Sequence, residues 1–108
     1  MKIPTAIQLD KYDINQKIIK VLADLESRTI LFSITQKALL TEDISRKTNI
    51  PLSTVYKKLE KLQELTLVKI ERIKLSDHGR RMKYYKSRIR EVEISIRKLE
   101  LILILHKN

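Results

Sequence analysis

Apolar side chains recur at helical spacing through the first two thirds of the chain and switch to alternation after residue 66. Ile14, Ile18, Val21, Leu22 and Leu25 follow i, i+4, i+7, i+8 spacing, which predicts a helix beginning near Asp13, a fair N-cap. Residues 1–12 are weakly patterned, and Pro4 opposes an early helix. Glu26 and Ser27 mark a break, with Ser27 placed to cap a second helix carrying Ile30, Leu31 and Ile34; a single bent helix fits the same spacing. Thr41 then precedes Glu42, Asp43 and Ile44. A Thr cap with two acids in the first turn suits the positive end of a helix dipole, so residues 41–47 are expected to form a short helix with Ile44 turned inward. Asn49 tolerates the left-handed conformation of a tight turn.

The longest pattern is residues 50–65, IPLSTVYKKLEKLQEL. Pro51 suits a first helical turn, because its missing N–H has no intrahelical partner there. At 100° per residue, Leu52, Val55, Leu59, Leu62 and Thr66 fall on one stripe, while Ser53, Lys57, Glu60 and Glu64 lie opposite. Thr54 and Lys61 occupy one shoulder of the polar face and Tyr56 the other. A short capped helix, a turn and a second amphipathic helix make a helix-turn-helix. The first turns of the second helix are small, hydroxylic and basic, as a major-groove helix requires.

Beyond residue 66 the period changes. In LVKIERIKL (67–75), Val68 and Ile70 alternate with Lys69 and Glu71, and a slip near Arg72 and Ile73 suggests a bulge. Ser76, Asp77, His78 and Gly79, the only glycine in the chain, are turn chemistry. Residues 80–86 return as a strand with Met82 and Tyr84 on one face and Arg81, Lys83 and Tyr85 on the other. A helix-turn-helix followed by a basic hairpin is a winged helix. The fold class expected is therefore α+β, mainly α, organised as residues 1–26 (N-terminal helix and tail), 27–87 (winged helix-turn-helix) and 88–108 (C-terminal extension).

Two periods compete in that extension. Ile89, Val92, Ile96, Leu99 and Leu103 keep coiled-coil spacing. Val92, Ile94 and Ile96, then Leu99, Leu101, Leu103 and Leu105, alternate strictly. The helical template strands Ile94, Leu101, Ile102, Ile104 and Leu105, so a β-hairpin turning near Arg97 and Lys98 is favoured over a coiled-coil helix. So apolar an end needs cover, and a second copy of the chain is the expected cover, with Val92, Ile94, Ile96, Leu99, Leu101, Leu103 and Leu105 as its dimerisation residues.

Charge sharpens the functional expectation. The net charge is +10, and residues 41–90 hold 14 basic and 6 acidic side chains, which accounts for +8 of it. From His78 to Arg90 there are six cations and no acid, a distribution that suits a polyanionic partner. The 43% hydrophobic and 33% charged composition is globular. The absence of cysteine excludes disulfides and thiolate metal sites. His78 and His106 lack metal-pair or triad spacing, and one glycine cannot build a phosphate loop, so neither an enzyme nor a metal or cofactor is expected. Glu60 and Glu64 suit pairing with Lys57 and Lys61 rather than acid/base work. The longest apolar run, residues 101–105, is far below a membrane span, and no signal-peptide core opens the chain. A cytoplasmic, nucleoid-associated location is expected.

Residues 41–86 resemble the winged-helix domains of ArsR-like transcriptional regulators, particularly small archaeal ones. The motifs that carry the resemblance are IPLSTVYKKLEKL, LVKI and DHGRRMKYYKS. It implies a recognition helix starting near Ser53, with Ser53, Thr54, Tyr56 and Lys57 in the groove and Arg80, Arg81 and Lys83 along the phosphate backbone. It also leans towards a β-hairpin at the C-terminal end. The metal-sensing cysteines of that family have no counterpart here, and the glycine that commonly follows the recognition helix is Thr66.

Read from the residues, Lys57 suits guanine O6/N7, Lys58 and Lys61 suit flanking phosphates, and His78 belongs to the wing tip. The expected function is a sequence-specific, double-stranded-DNA-binding regulator acting as a homodimer. The alternatives are a sequence-tolerant architectural chromatin protein and a winged-helix module that docks on the transcription machinery.

Overall fold

The computed structural model describes the backbone from residue 6 and side chains from residue 14 onward. Four helices are followed by two antiparallel hairpins: α1 (Ala6–Ala23), α2 (Leu25–Ser33), α3 (Thr41–Thr48), α4 (Leu52–Glu64), β1 (Val68–Leu75), β2 (Arg81–Ser87), β3 (Ile89–Arg97) and β4 (Glu100–Lys107). This α+β, mainly α, order is that of a winged helix with a hairpin extension. The core is aliphatic. Ile30, Leu31 and Ile34 of the α2 region meet Ile44 of α3, Val55, Leu59 and Leu62 of α4, and Leu67 and Val68. Ile18, Val21 and Leu22 of α1 and Ile89 of β3 complete it. Truncating one of these buried leucines to alanine removes packing worth about 2–5 kcal/mol.

Several helix boundaries depart from the expectation. α1 starts at Ala6 rather than near Asp13, since Ala6, Gln8, Leu9 and Lys11 are all good helix formers or neutral ones. Pro4 lies outside the described residues. The break falls at Asp24, not at Glu26 and Ser27. The Asp24 carboxylate accepts the Ser27 N–H at 3.1 Å and the Ser27 hydroxyl at 2.7 Å, so Asp24 is the N-cap of α2 and Ser27 its satisfied, buried partner. The helices are thus two, not one bent rod. Leu40, rather than Thr41, is the N-cap of α3, without a side-chain bond; Thr41 is buried in the first turn, where its hydroxyl serves Glu42 and Tyr56 instead.

The turn between α3 and α4 closes through Asn49 at φ 60°, ψ 28°, a left-handed residue standing where glycine is common. Pro51 precedes the first helical residue as N-cap, its carbonyl accepting the N–H groups of Thr54 and Val55 at 3.0 Å. The inward stripe of α4 is narrower than expected. Val55, Leu59 and Leu62 are buried, whereas Leu52 sits at the entry of the helix and remains 37% exposed. Thr66 has left the helix: it adopts φ 59° and ends α4, with its own N–H bonded to Gln63 and that of Leu67 to Leu62, both at 2.9 Å. That pair of bonds is a Schellman motif with threonine at the left-handed position.

The wing is β1–β2. Its register runs from Val68 opposite Ser87 to Leu75 opposite Arg81, with an irregularity at Glu71, just before the expected slip. Gly79, at φ 77°, turns the tip. The wing root is fastened by Leu39, which exchanges backbone hydrogen bonds with Tyr85 at 2.9 and 3.0 Å.

The C-terminal extension is the β-hairpin, and the coiled-coil alternative is overturned. β3 pairs with β4 through Val92–Leu105, Ile94–Leu103 and Ile96–Leu101, across a two-residue loop in which Lys98 takes φ 54°. Opposed residues share a face, so these six aliphatics form one apolar side. The other side is mixed: Glu91, Glu93, Ser95 and Arg97 of β3 stand opposite His106, Ile104, Ile102 and Glu100, with His106 bonded to Glu93 at 2.7 Å. The 3–4 spacing of the apolar positions is a by-product of two alternating runs placed end to end.

Candidate nucleic-acid interface

α4 is fixed by burial on one side, which dictates what it exposes on the other. With Val55, Leu59 and Leu62 in the core, Ser53, Tyr56, Lys57, Glu60, Lys61 and Glu64 are exposed, and Thr54 and Lys58 are half-buried. The exposed ridge divides into two shoulders with different neighbours.

The Tyr56 shoulder faces the wing. Together with Thr41, Glu42, Arg46, His78, Arg80, Arg81, Lys83 and Tyr85 it lines an open cleft of about 750 Å³. Arg81, Lys83 and Tyr85 reach it because they alternate onto the same face of β2. Across the cleft, Arg80 donates to Glu42 at 2.7 Å, and the Tyr56 and Thr41 hydroxyls lie 3.1 Å apart. Glu42's own backbone N–H, and then the Arg80 guanidinium, hold its carboxyl below the usual carboxylate range. Burial, and then Tyr56, push the Tyr85 phenol up. Of the expected wing cations, then, Arg80 is engaged with α3, whereas Arg81 and Lys83 have no acid within ion-pair distance among the described residues. His78 is exposed at the tip.

The opposite shoulder faces α1. Lys57, Lys58 and Lys61 share a hollow with Lys17, Lys20, Val21, Asp24 and Ser27. Lys58 bonds to Asp24 at 2.9 Å, which raises the lysine and, with help from Ser27, lowers Asp24 to about 2. Lys61 pairs with Glu64 at 3.5 Å, the i, i+3 partnership expected for these glutamates, and Lys57 has no acid partner among the described residues.

The structure therefore brings Tyr56, His78, Arg80, Arg81 and Lys83 together on one side of α4, and Lys57, Lys58 and Lys61 on the other. Ser53 and Thr54 lie at the front, and neither hydroxyl caps the helix.

Sequence reasoning missed three features of this surface. Lys17 and Lys20 are three apart on α1, but their approach to α4 depends on packing between helices that no local pattern reports. Glu42, read as a dipole acid, also binds Arg80 from 38 residues away. On the far face of the wing, Arg72 lies 4.1 Å and Lys74 5.6 Å from the Tyr84 ring; the alternation of basic residues opposite an aromatic was a usable signal.

Among the described residues no group of three or more His, Cys, Asp or Glu side chains gathers to hold a metal ion, and no helix is long and apolar enough to cross a membrane.

Comparison with known proteins settles the fold. The chain is similar in structure to NolR from Sinorhizobium fredii, a winged-helix transcriptional regulator, with a TM-score of 0.65 and 18% identity over 81% of each chain. The fold is a winged helix-turn-helix. No protein-family model matches the sequence, and no curated protein does.

Proposed function

We propose that this chain is a sequence-specific, double-stranded-DNA-binding transcriptional regulator that acts as a homodimer, of the ArsR-like kind its sequence resembles. One observation carries the reading. The exposed front of α4, with Ser53, Thr54 and Lys57, stands beside the wing's Arg81 and Lys83, with Lys61 exposed further along the same helix. A major groove about 12 Å wide accepts one helix, and the backbone beside it supplies phosphates to the wing. Glu60 and Glu64 further along the ridge oppose a flat-lying helix, so only the first two turns of α4 enter the groove. NolR's role as a transcriptional regulator supports the same reading.

The dimer is supported by the uncovered hairpin. At its base, Val92 and Leu103 pack on the core, and Ile94 reaches the hollow formed by Ile19, Leu22 and Phe32. Towards the tip, Ile96 and Leu99 are 69% and 70% exposed. Each would contribute about 1.5–3 kcal/mol on full burial, and a two-stranded hairpin alone in water is marginal. A second copy, bringing the same apolar face, covers both tips symmetrically.

Selection of bound duplexes from a random pool at physiological salt tests the function. A regulator returns a defined site with two half-sites, and excess random DNA competes ~10³-fold or more less effectively than that site. Recovery of no consensus, with equal competition by random DNA, would instead favour the architectural reading.

A further inference from the structure

The expectations drawn from the sequence assign Lys57, Lys58 and Lys61 to DNA but place nothing on α1 against it, and the hollow joins the two helices. Among the described residues it is lined by the lysines Lys17, Lys20, Lys57, Lys58 and Lys61 and by the carboxylate of Asp24. That carboxylate is committed twice, to capping α2 and to Lys58. The Lys61–Glu64 contact joins two side chains that are each more than half exposed, so it neutralises little. Lys20 and Lys57 have no acid partner among the described residues, and both flank the same opening.

Holding several ammonium groups this close costs Coulomb energy unless a polyanion or counterions fill the space between them. The hollow is apolar at its floor, where Val21 lies, and cationic at its rim. Its buried polar side chain, Ser27, is already bonded to Asp24 and is not free to orient a small ligand. That arrangement suits a repeating, flexible-register polyanion rather than a discrete metabolite.

Resting on the regulator reading above, we infer that this hollow is a second phosphodiester-binding surface, taking the duplex backbone on the side of the groove opposite the wing. Lys57 ties the two regions together. It stands on the exposed front of α4 and on the lip of the hollow, so a duplex that reaches Lys57 brings its nearer backbone over Lys20 and Lys61. The wing then holds one wall of the groove and α1 the other, and the footprint extends past the helix-turn-helix onto the N-terminal helix. Lys58 is a positioning residue here: its bond to Asp24 fastens α4 to the start of α2 and so sets the width of the hollow.

The test is a set of titrations of the full chain with its selected duplex between 50 and 200 mM salt, with the slope of log affinity against log salt as the readout. Removing one cation from a phosphate lowers the steepness of that slope by roughly 0.9. Lys20→Gln should therefore flatten it by roughly 0.9 while the ranking of preferred sequences stays as in the parent, and Lys20→Arg should restore it. Thermal melting of each variant reports folding, and Lys20→Ala, expected to flatten the slope by the same amount, repeats the test if Lys20→Gln is unstable. An unchanged slope in folded variants overturns the second surface while leaving the regulator reading intact. Failure of the parent protein to bind any duplex overturns both.

Discussion

Arg80 Nη2 donates to Glu42 Oε1 at 2.7 Å, joining the tip end of the wing to the first turn of α3 across the mouth of the cleft that holds Tyr56. The bond withholds from solution a guanidinium that the sequence assigns to phosphate. Both side chains are exposed, 67% and 36%, so the bond is readily exchanged for another anion. Glu42→Gln should release Arg80 to the backbone, raising duplex affinity and steepening the salt slope by roughly 0.9 for one added phosphate partner. Because the Glu42 carboxyl is held below its ordinary range, by its own N–H first and by Arg80 second, the bond is intact at neutral pH and lost as pH falls through that lowered value. The parent and the Glu42→Gln variant should therefore converge in affinity under acid conditions. Equal salt slopes for the two at neutral pH would show that Arg80 does not move to DNA.

Asp24 carries both the α2 cap and the Lys58 pair. Asp24→Ala is expected to lower stability by about 1 kcal/mol through loss of the cap, while Asp24→Asn, still a good cap, loses less. A carboxylate lowered to about 2 from an ordinary value near 3.8 stabilises the fold fully above the ordinary value and loses that contribution as pH falls towards 2. Urea unfolding of the parent protein should thus steepen in pH dependence between about 4 and 2, and Asp24→Ala should flatten that segment.

Thr66 holds φ 59° while its side chain is exposed. A non-glycine residue in this conformation costs roughly 1–2 kcal/mol, and glycine gives back part of that relief as extra unfolded-state entropy. Thr66→Gly should stabilise the protein by roughly 0.5–1 kcal/mol, measured by denaturant midpoint at constant slope. Asn49→Gly, where asparagine already tolerates the left-handed turn at φ 60°, should change stability less than Thr66→Gly does.

The hairpin tip supplies a separate test of self-association. Ile96 is 69% exposed in the single chain, so Ile96→Asp should leave the fold intact. It should shift the sedimentation coefficient from dimer to monomer and remove preference for two half-sites over one. A parent protein that sediments as a monomer at all accessible concentrations would leave the apolar tip without its proposed cover.

Element type was legible wherever periodicity was long. The alternation of Val92, Ile94 and Ile96 against Glu93, Ser95 and Arg97 decided for strands over the coiled-coil spacing, and the order of helices and wing followed from Asn49 and Gly79. Boundaries were less legible. Asp24 and Ser27 both qualify as caps in isolation, and only the bond from one to the other decides which is the acceptor. Leu52 belongs to the apolar stripe by angle, yet as the first residue of α4 it stays 37% exposed. The least legible feature was charge pairing at long range: Glu42 with Arg80, and Asp24 with Lys58, join residues 38 and 34 apart. Their pairing is settled by packing of the core beneath them, which no local pattern of charges encodes.

Reading and holding should separate by mutation. Lys57 stands on the front of α4, whereas Arg81 and Lys83 lie along β2 at the edge of the cleft. A lysine that donates to guanine O6 or N7 distinguishes one base pair from another, while a cation on a phosphate does not. Lys57→Ala should cost about 1–3 kcal/mol on the selected site and far less on variants altered at one base pair, so that its preference at that position is relaxed. Arg81→Ala and Lys83→Ala should weaken every duplex alike and each flatten the salt slope by roughly 0.9. Affinities of the three variants across a panel of single-base-pair changes make the comparison directly. A uniform loss from Lys57→Ala would place that lysine on the backbone with Lys20 and Lys61, and sequence discrimination would then fall to Ser53 and Thr54 at the front of the helix.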